Sequence, residues 1–171
     1  MTSKRRNVLV GRPVEPLDAH AARVAALDAL ARRDYASEDL RLKLIEKGYD
    51  ASVVSPLLDA LRDEKLLDDR RYMENFVAYH AARGQGPRRI RLDLRRHGVQ
   101  GALVEEYLGA HPDWLAHLQK ARVKKFGAEL PKNYADRQLQ ARFLSYRGFT
   151  SAQIRMALGF DIEIDSDTEE T

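Results

Sequence analysis

Eight arginines crowd the stretch between Arg70 and Gly98: Arg70, Arg71, Arg83, Arg88, Arg89, Arg91, Arg95 and Arg96. Only Glu74 and Asp93 oppose them there, which leaves a net of six positive charges. Guanidinium is planar and carries several donors in a fixed fork, the geometry that suits carboxylate and phosphate. At helical spacing Arg88, Arg91 and Arg95 share one stripe, away from the apolar stripe of Ile90 and Leu94. An ordinary solvated helix face mixes its charges, and this stretch does not. The chemistry it predicts is recognition of an anionic partner.

Other residues that could do chemistry are poorly arranged for it. The histidines at 20, 80, 97, 111 and 117 show no metal-ligand spacing such as HExxH. There is no cysteine, hence no thiolate metal site, no disulfide and no cysteine nucleophile. Gly84-Gln85-Gly86 lacks the flanking strand and the lysine of a phosphate-binding loop. Asp68 and Asp69 could be imagined on a metal, but a helix cap accounts for them more simply. The expectation is a protein without catalysis, cofactor or metal. The net charge of +3 divides unevenly: residues 161–171 hold six acids and no base, so the remainder carries about +9. A basic body fits nucleic acid or an acidic protein surface. No apolar run reaches the length of a membrane span and the N-terminus lacks a signal peptide's apolar core, so a soluble cytoplasmic protein is expected.

The elements that must position the arginines repeat with a period of 50 residues. Leu44, Leu94 and Leu144 fall in register, as do Gly48, Gly98 and Gly148, then Val54, Val104 and Ile154, then Leu58, Leu108 and Leu158. Such a period marks one small unit stacked on its copies. The pattern predicts an all-α fold, an elongated array of three tandem three-helix, helix-turn-helix-like repeats over 17–65, 66–110 and 111–160. A flexible basic arm (1–16) precedes them and an acidic tail (161–171) follows. In the first repeat Val24, Leu27 and Ala31 form the apolar stripe of the opening helix, and Ser37 caps the next. Pro56 implies that the third helix bends or starts late, capped by Ser55. Asp68 is the expected cap of the second repeat's first helix, with Leu67 and Tyr72 as a hydrophobic staple. Pro87 opens the following helix, and Thr150 with Gln153 reads as a capping box. Nothing reads as a strand.

The repeat supplies its own control. Where the middle unit has Arg88, Arg89, Arg91, Arg95 and Arg96, the first has Glu38, Asp39, Arg41, Ile45 and Glu46, and the third has Gln138, Leu139, Ala141, Ser145 and Tyr146. Two sister units fold without these arginines, so the fold does not demand them. The helices placed like recognition helices are poorly equipped for a major groove, since Leu103 to Ala110 carries Glu105 and Glu106 and no base. Nonspecific contact with a nucleic-acid backbone remains open; sequence-specific reading is not expected.

Leu66-Leu67-Asp68-Asp69-Arg70-Arg71-Tyr72, Gly86-Pro87-Arg88-Arg89-Ile90 and Gly98-Val99 together resemble the most recognisable block of the RecX family. Lys124-Lys125-Phe126, Arg142-Phe143-Leu144 and Arg147-Gly148-Phe149 are similar to that family's third repeat. The resemblance covers roughly residues 20–160. It implies a bacterial modulator of the RecA recombinase that lies in the groove of the RecA–single-stranded-DNA filament. There it would limit filament extension, ATP hydrolysis, strand exchange and coprotease activity. By this resemblance Arg70, Arg71, Arg88 and Arg89 are motif positions in partner binding; Arg91, Arg95 and Arg96 are added by the repeat comparison, and Arg83 by its contribution to the local charge. A monomer is expected. The alternative is a nonspecific DNA-binding protein that competes for single strands, touching single- and double-stranded DNA through the backbone. The arm and the acidic tail lie outside the family pattern; the tail is either a solubilising end or a mask for the arginine face.

Overall fold

The structure, a computed structural model, describes residues 15–110 and 113–159. Residues 1–14 of the basic arm and all of the acidic tail lie outside the described residues. Within them nine α-helices and no strand occur: α1 (Ala19–Leu30), α2 (Ser37–Glu46), α3 (Ala51–Asp63), α4 (Asp69–Ala82), α5 (Pro87–Arg96), α6 (Ala102–Ala110), α7 (Trp114–Phe126), α8 (Tyr134–Tyr146) and α9 (Ser151–Leu158). They form three three-helix repeats in tandem along the chain. The chain divides into two compact units, the first ending at Leu67 and the second starting at Asp68.

Every apolar position of the 50-residue register is buried: Leu44, Leu94, Leu144, Val54, Val104, Ile154, Leu58, Leu108 and Leu158. The glycines of the register end the second helix of each repeat. Gly48, Gly98 and Gly148 have φ of 101°, 75° and 86°, a region that only glycine enters cheaply. Each turn then closes by the same pair of bonds. Gly48 N–H donates to Ile45 O and Tyr49 N–H to Leu44 O. The equivalents are Gly98 to Arg95 with Val99 to Leu94, and Gly148 to Ser145 with Phe149 to Leu144. This is the Schellman arrangement, and the residue after each glycine (Tyr49, Val99, Phe149) is buried beneath it.

In the first unit α1 packs on α2 and α3. Its buried face is Ala22, Ala26 and Ala29, whereas Val24 is 47% and Leu27 36% exposed, so the expected stripe is rotated. Small side chains let the helices approach closely, and that packing outweighs the larger transfer energy of Val and Leu. Ser37 is not the cap of α2: Ala36 holds that position, and the buried Ser37 Oγ accepts from Arg62 Nε at 3.2 Å. The third helix starts on time. Asp50 caps it, accepting from Ser52 N at 2.9 Å and from Ser52 Oγ at 2.6 Å, and these bonds hold its carboxyl below the usual range. Pro56 lies inside α3 on the exposed side, where water can satisfy the carbonyl its missing N–H abandons. Leu67 belongs to this unit's core.

In the second unit Asp68 caps α4 by accepting from Arg71 N at 3.0 Å. Pro87 is the first residue of α5, and Thr150 and Gln153 form the reciprocal capping box of α9. Trp114 Nε1 donates to Leu108 O at 2.8 Å, tying α7 to the end of α6.

Candidate anion-binding surface

The arginines sit where they do because the Gly84-Gln85-Gly86 turn is clamped against the third repeat. Gly84 has φ of 79° and presses on α7, where a Cβ would meet Ala121 Cβ at 2.9 Å. Gly86 abuts the turn after α8, where a Cβ would lie 2.3 Å from Phe149 N and 2.4 Å from Gly148 C and O. The absence of a side chain lets two backbone bonds form across the joint: Gly86 N–H to Arg147 O at 2.7 Å and Arg88 N–H to Gly148 O at 2.9 Å. The amides of the cap residue Gly86 and of Arg88, which have no partner inside the helix, are thereby satisfied by the carbonyls that close α8. From that anchor α5 buries Pro87, Ile90 and Leu94 and leaves Arg88, Arg89, Arg91, Arg95 and Arg96 exposed. Arg70, Arg71 and Arg83 on and just after α4 are exposed as well.

Ion pairs hold several of them. Arg70 Nε reaches Glu74 at 3.0 Å, and that bond and charge raise its pKa. Asp93, whose side chain is only 15% exposed, is shared by Arg89 at 2.9 Å and Arg96 at 3.0 Å. Arg91 makes a two-pronged contact with Glu105 on α6, both bonds at 2.7 Å. Arg83 lies over the exposed ring of Tyr79, 5.3 Å from its centroid, and donates to the phenol oxygen at 3.2 Å. Arg95 has no ion pair among the described residues. Surface pairs of this kind contribute about 0–1 kcal/mol each, too little to withdraw the guanidiniums from a polyanion.

All eight arginines predicted from sequence therefore fall in one compact unit, five of them on one helix. Sequence reasoning missed Glu105, which lies outside the basic stretch yet fixes Arg91. It also missed Arg122, which is 5% exposed and donates to Glu129 O at 2.9 Å and Ala128 O at 3.1 Å. The signal for it was present: Arg122 follows Leu118 by four residues, on the buried stripe of α7. Beneath the surface, His80 stacks on Phe76 with ring centroids 4.1 Å apart, and His97 meets the same ring edge-on at 5.5 Å. Burial, the largest influence, lowers the pKa of His80; Arg83 and His97 act in the same direction, while Gln85 and Asp93 oppose them. No group of three or more metal-ligating side chains occurs among the described residues, and no helix there is long and apolar enough to cross a membrane.

Fold and surface together define a tandem helical-repeat protein with a cationic face carried by its middle repeat. Family models match all three repeats in order: the first three-helix domain of RecX over residues 22–61, the second over 68–108 and the third over 112–158. The chain belongs to the RecX family. It is 44% identical over 138 residues to the Regulatory protein RecX of Halorhodospira halophila, covering 80% of this chain and 86% of that one. With the Regulatory protein RecX of Pseudomonas fluorescens SBW25 it shares 39% identity over 145 residues, 84% of this chain and 94% of the other. The crystal structure of RecX from Lactobacillus salivarius has the same fold, with a TM-score of 0.71 at 20% identity over 83% of this chain and 95% of that one.

Proposed function

We propose that this chain modulates the RecA recombinase, mainly negatively, by docking as a monomer in the groove of the RecA–single-stranded-DNA filament. Occupying that groove limits filament extension, and with it ATP hydrolysis, strand exchange and coprotease activity. Membership of a family whose curated members are named regulatory proteins supports the regulatory half of this reading. The observation that carries the docking half is α5, where five of ten residues are exposed arginines and the one acid, Asp93, is already shared between two of them. The helix is anchored at its buried N-terminal turn, so the arginines are presented on a fixed frame. A docked body favours whichever filament state fits it and disfavours the rest, with no reaction of its own. The site is cytoplasmic, where RecA filaments form.

The test is RecA's single-stranded-DNA-dependent ATP hydrolysis, titrated with the wild-type chain and with a variant carrying Arg88→Glu, Arg89→Glu, Arg95→Glu and Arg96→Glu. Inhibition well below the amount needed to coat the DNA, lost in the variant and weakened by salt, is the expected result. Inhibition only at DNA-saturating amounts would replace this reading with competition for single strands. Arg95→Glu alone is the cleanest single probe, because it disturbs no ion pair among the described residues.

A further inference from the structure

We propose that the joint between the second and third repeats is a contact site for single-stranded nucleic acid, in which Tyr146 offers a stacking face to a base and Arg88, Arg89 and Arg147 hold the flanking phosphates. This goes beyond the filament reading and is tested without RecA. The backbone fixes the juxtaposition. Arg147 O receives Gly86 N–H at 2.7 Å, Gly148 O receives Arg88 N–H at 2.9 Å, and a Cβ on Gly148 would lie 2.4 Å from Arg89 Cβ. The last residues of α8 and the first of α5 are thus held side by side by the backbone, although some sixty residues separate them in the chain.

Three features of the patch point to a polyanion with exposed bases. Arg88 and Arg89 occupy the first turn of α5, which carries no acid. The helix dipole penalises cations at that end by a few tenths to about 1 kcal/mol each. The dipole thus opposes both cations, an opposition the Arg89–Asp93 pair offsets in part at Arg89, and an anionic ligand on the first turn would relieve it. The second feature is Arg147, exposed and lying over the Phe143 ring at 5.3 Å, a cation held in place by an aromatic ring. The third is Tyr146, which is 80% exposed, the most of any large hydrophobic or aromatic side chain described. An exposed aromatic face whose chain neighbour Arg147 is joined through the backbone to the arginine-bearing first turn of α5 is the combination by which single strands are bound without sequence preference. The Gly86 and Arg88 amides are already taken by carbonyls, so the charge comes from the side chains.

The experiment is fluorescence anisotropy of the full chain with a labelled oligo-dT strand, an abasic strand of equal length and a duplex. The wild type is expected to bind oligo-dT more tightly than the abasic strand or the duplex. Tyr146→Ala is expected to lose on the order of tenfold on oligo-dT, the loss of one base–aromatic stack, and nothing on the abasic strand. Tyr146→Phe should retain the preference. Arg147→Gln should weaken both strands alike and lower the salt slope by about one. Unfolding curves of the variants confirm that the exposed substitutions leave the fold intact. Equal affinity of the wild type for abasic and oligo-dT strands, or an undiminished preference in Tyr146→Ala, overturns the stacking site. Displacement by polyglutamate as effective as by oligo-dT would assign the patch to acidic protein instead.

Discussion

Three glycine-to-alanine substitutions separate what holds the second and third repeats together. Gly159 has φ of 76° with nothing within 4 Å of an added Cβ, so Gly159→Ala registers backbone strain alone. That strain is about 1–2 kcal/mol, partly offset by a less flexible unfolded chain, for a net of about 1 kcal/mol. Gly86 has φ of −90°, which alanine accepts, but its Cβ would lie 2.3 Å from Phe149 N. Relieving that overlap moves the turn by about 1 Å, which breaks both bonds across the joint. The expected cost is about 2–5 kcal/mol from overpacking and two lost hydrogen bonds. Gly148→Ala combines both liabilities, with φ of 86° and a Cβ 2.4 Å from Arg89 Cβ, and should cost about 3–6 kcal/mol. Trp114, the chain's single tryptophan and buried in the second unit, reports that unit's transition in urea. Hydrogen exchange at the Gly86 and Arg88 amides should accelerate in step. If Gly86→Ala costs no more than Gly159→Ala, close backbone approach is not what fixes α5, and the frame argued for the arginines fails.

Other substitutions test single features. Arg122→Met should destabilise the second unit by about 2–4 kcal/mol, since Ala128 O and Glu129 O lose their donors, and Arg122→Lys should rescue it only in part because a lysine lacks the fork. Asp68→Ala removes the α4 cap and should cost about 1 kcal/mol in urea unfolding, with no reaction abolished. His80 has a folded pKa below its ordinary 6.5, so the unfolded chain takes up its proton first. Stability tied to it is complete above that value and is lost as pH falls through the lower folded value. The melting temperature should drop across that window in the wild type and stay flat in His80→Gln; an undiminished slope in His80→Gln would show that another group titrates.

Sequence legibility followed the interactions that are local or periodic. The Leu, Gly, Val or Ile, and Leu of each repeat could be read because burial and a left-handed turn each demand a residue type at a fixed place, and three copies average out accident. The caps at Asp68 and Thr150 and the proline opening α5 are contacts within one helical turn, hence visible. The rotated face of α1 was not, because a hydrophobic stripe ranks Val24 and Leu27 above alanine, whereas close helix packing selects Ala22, Ala26 and Ala29. Pro56 does not delay the start of α3, because its cost depends on which side of the helix it faces. The cationic surface was visible as composition. Its partners were not, since Glu105 meets Arg91 only once α6 folds back, and Gly86 meets Gly148 only when two repeats dock.

Asp93, shared by Arg89 and Arg96, gives the surface its own resident competitor. A carboxylate tethered on the same helix occupies those guanidiniums at a high effective concentration, so an arriving phosphate or carboxylate must exchange with it and cannot simply add. Binding is then a swap of counterions, weaker per contact than the count of arginines implies and quickly reversed once the rival group lets go. Arginines vacated by such a ligand are neutralised locally by Asp93 and need not wait for ions from solution.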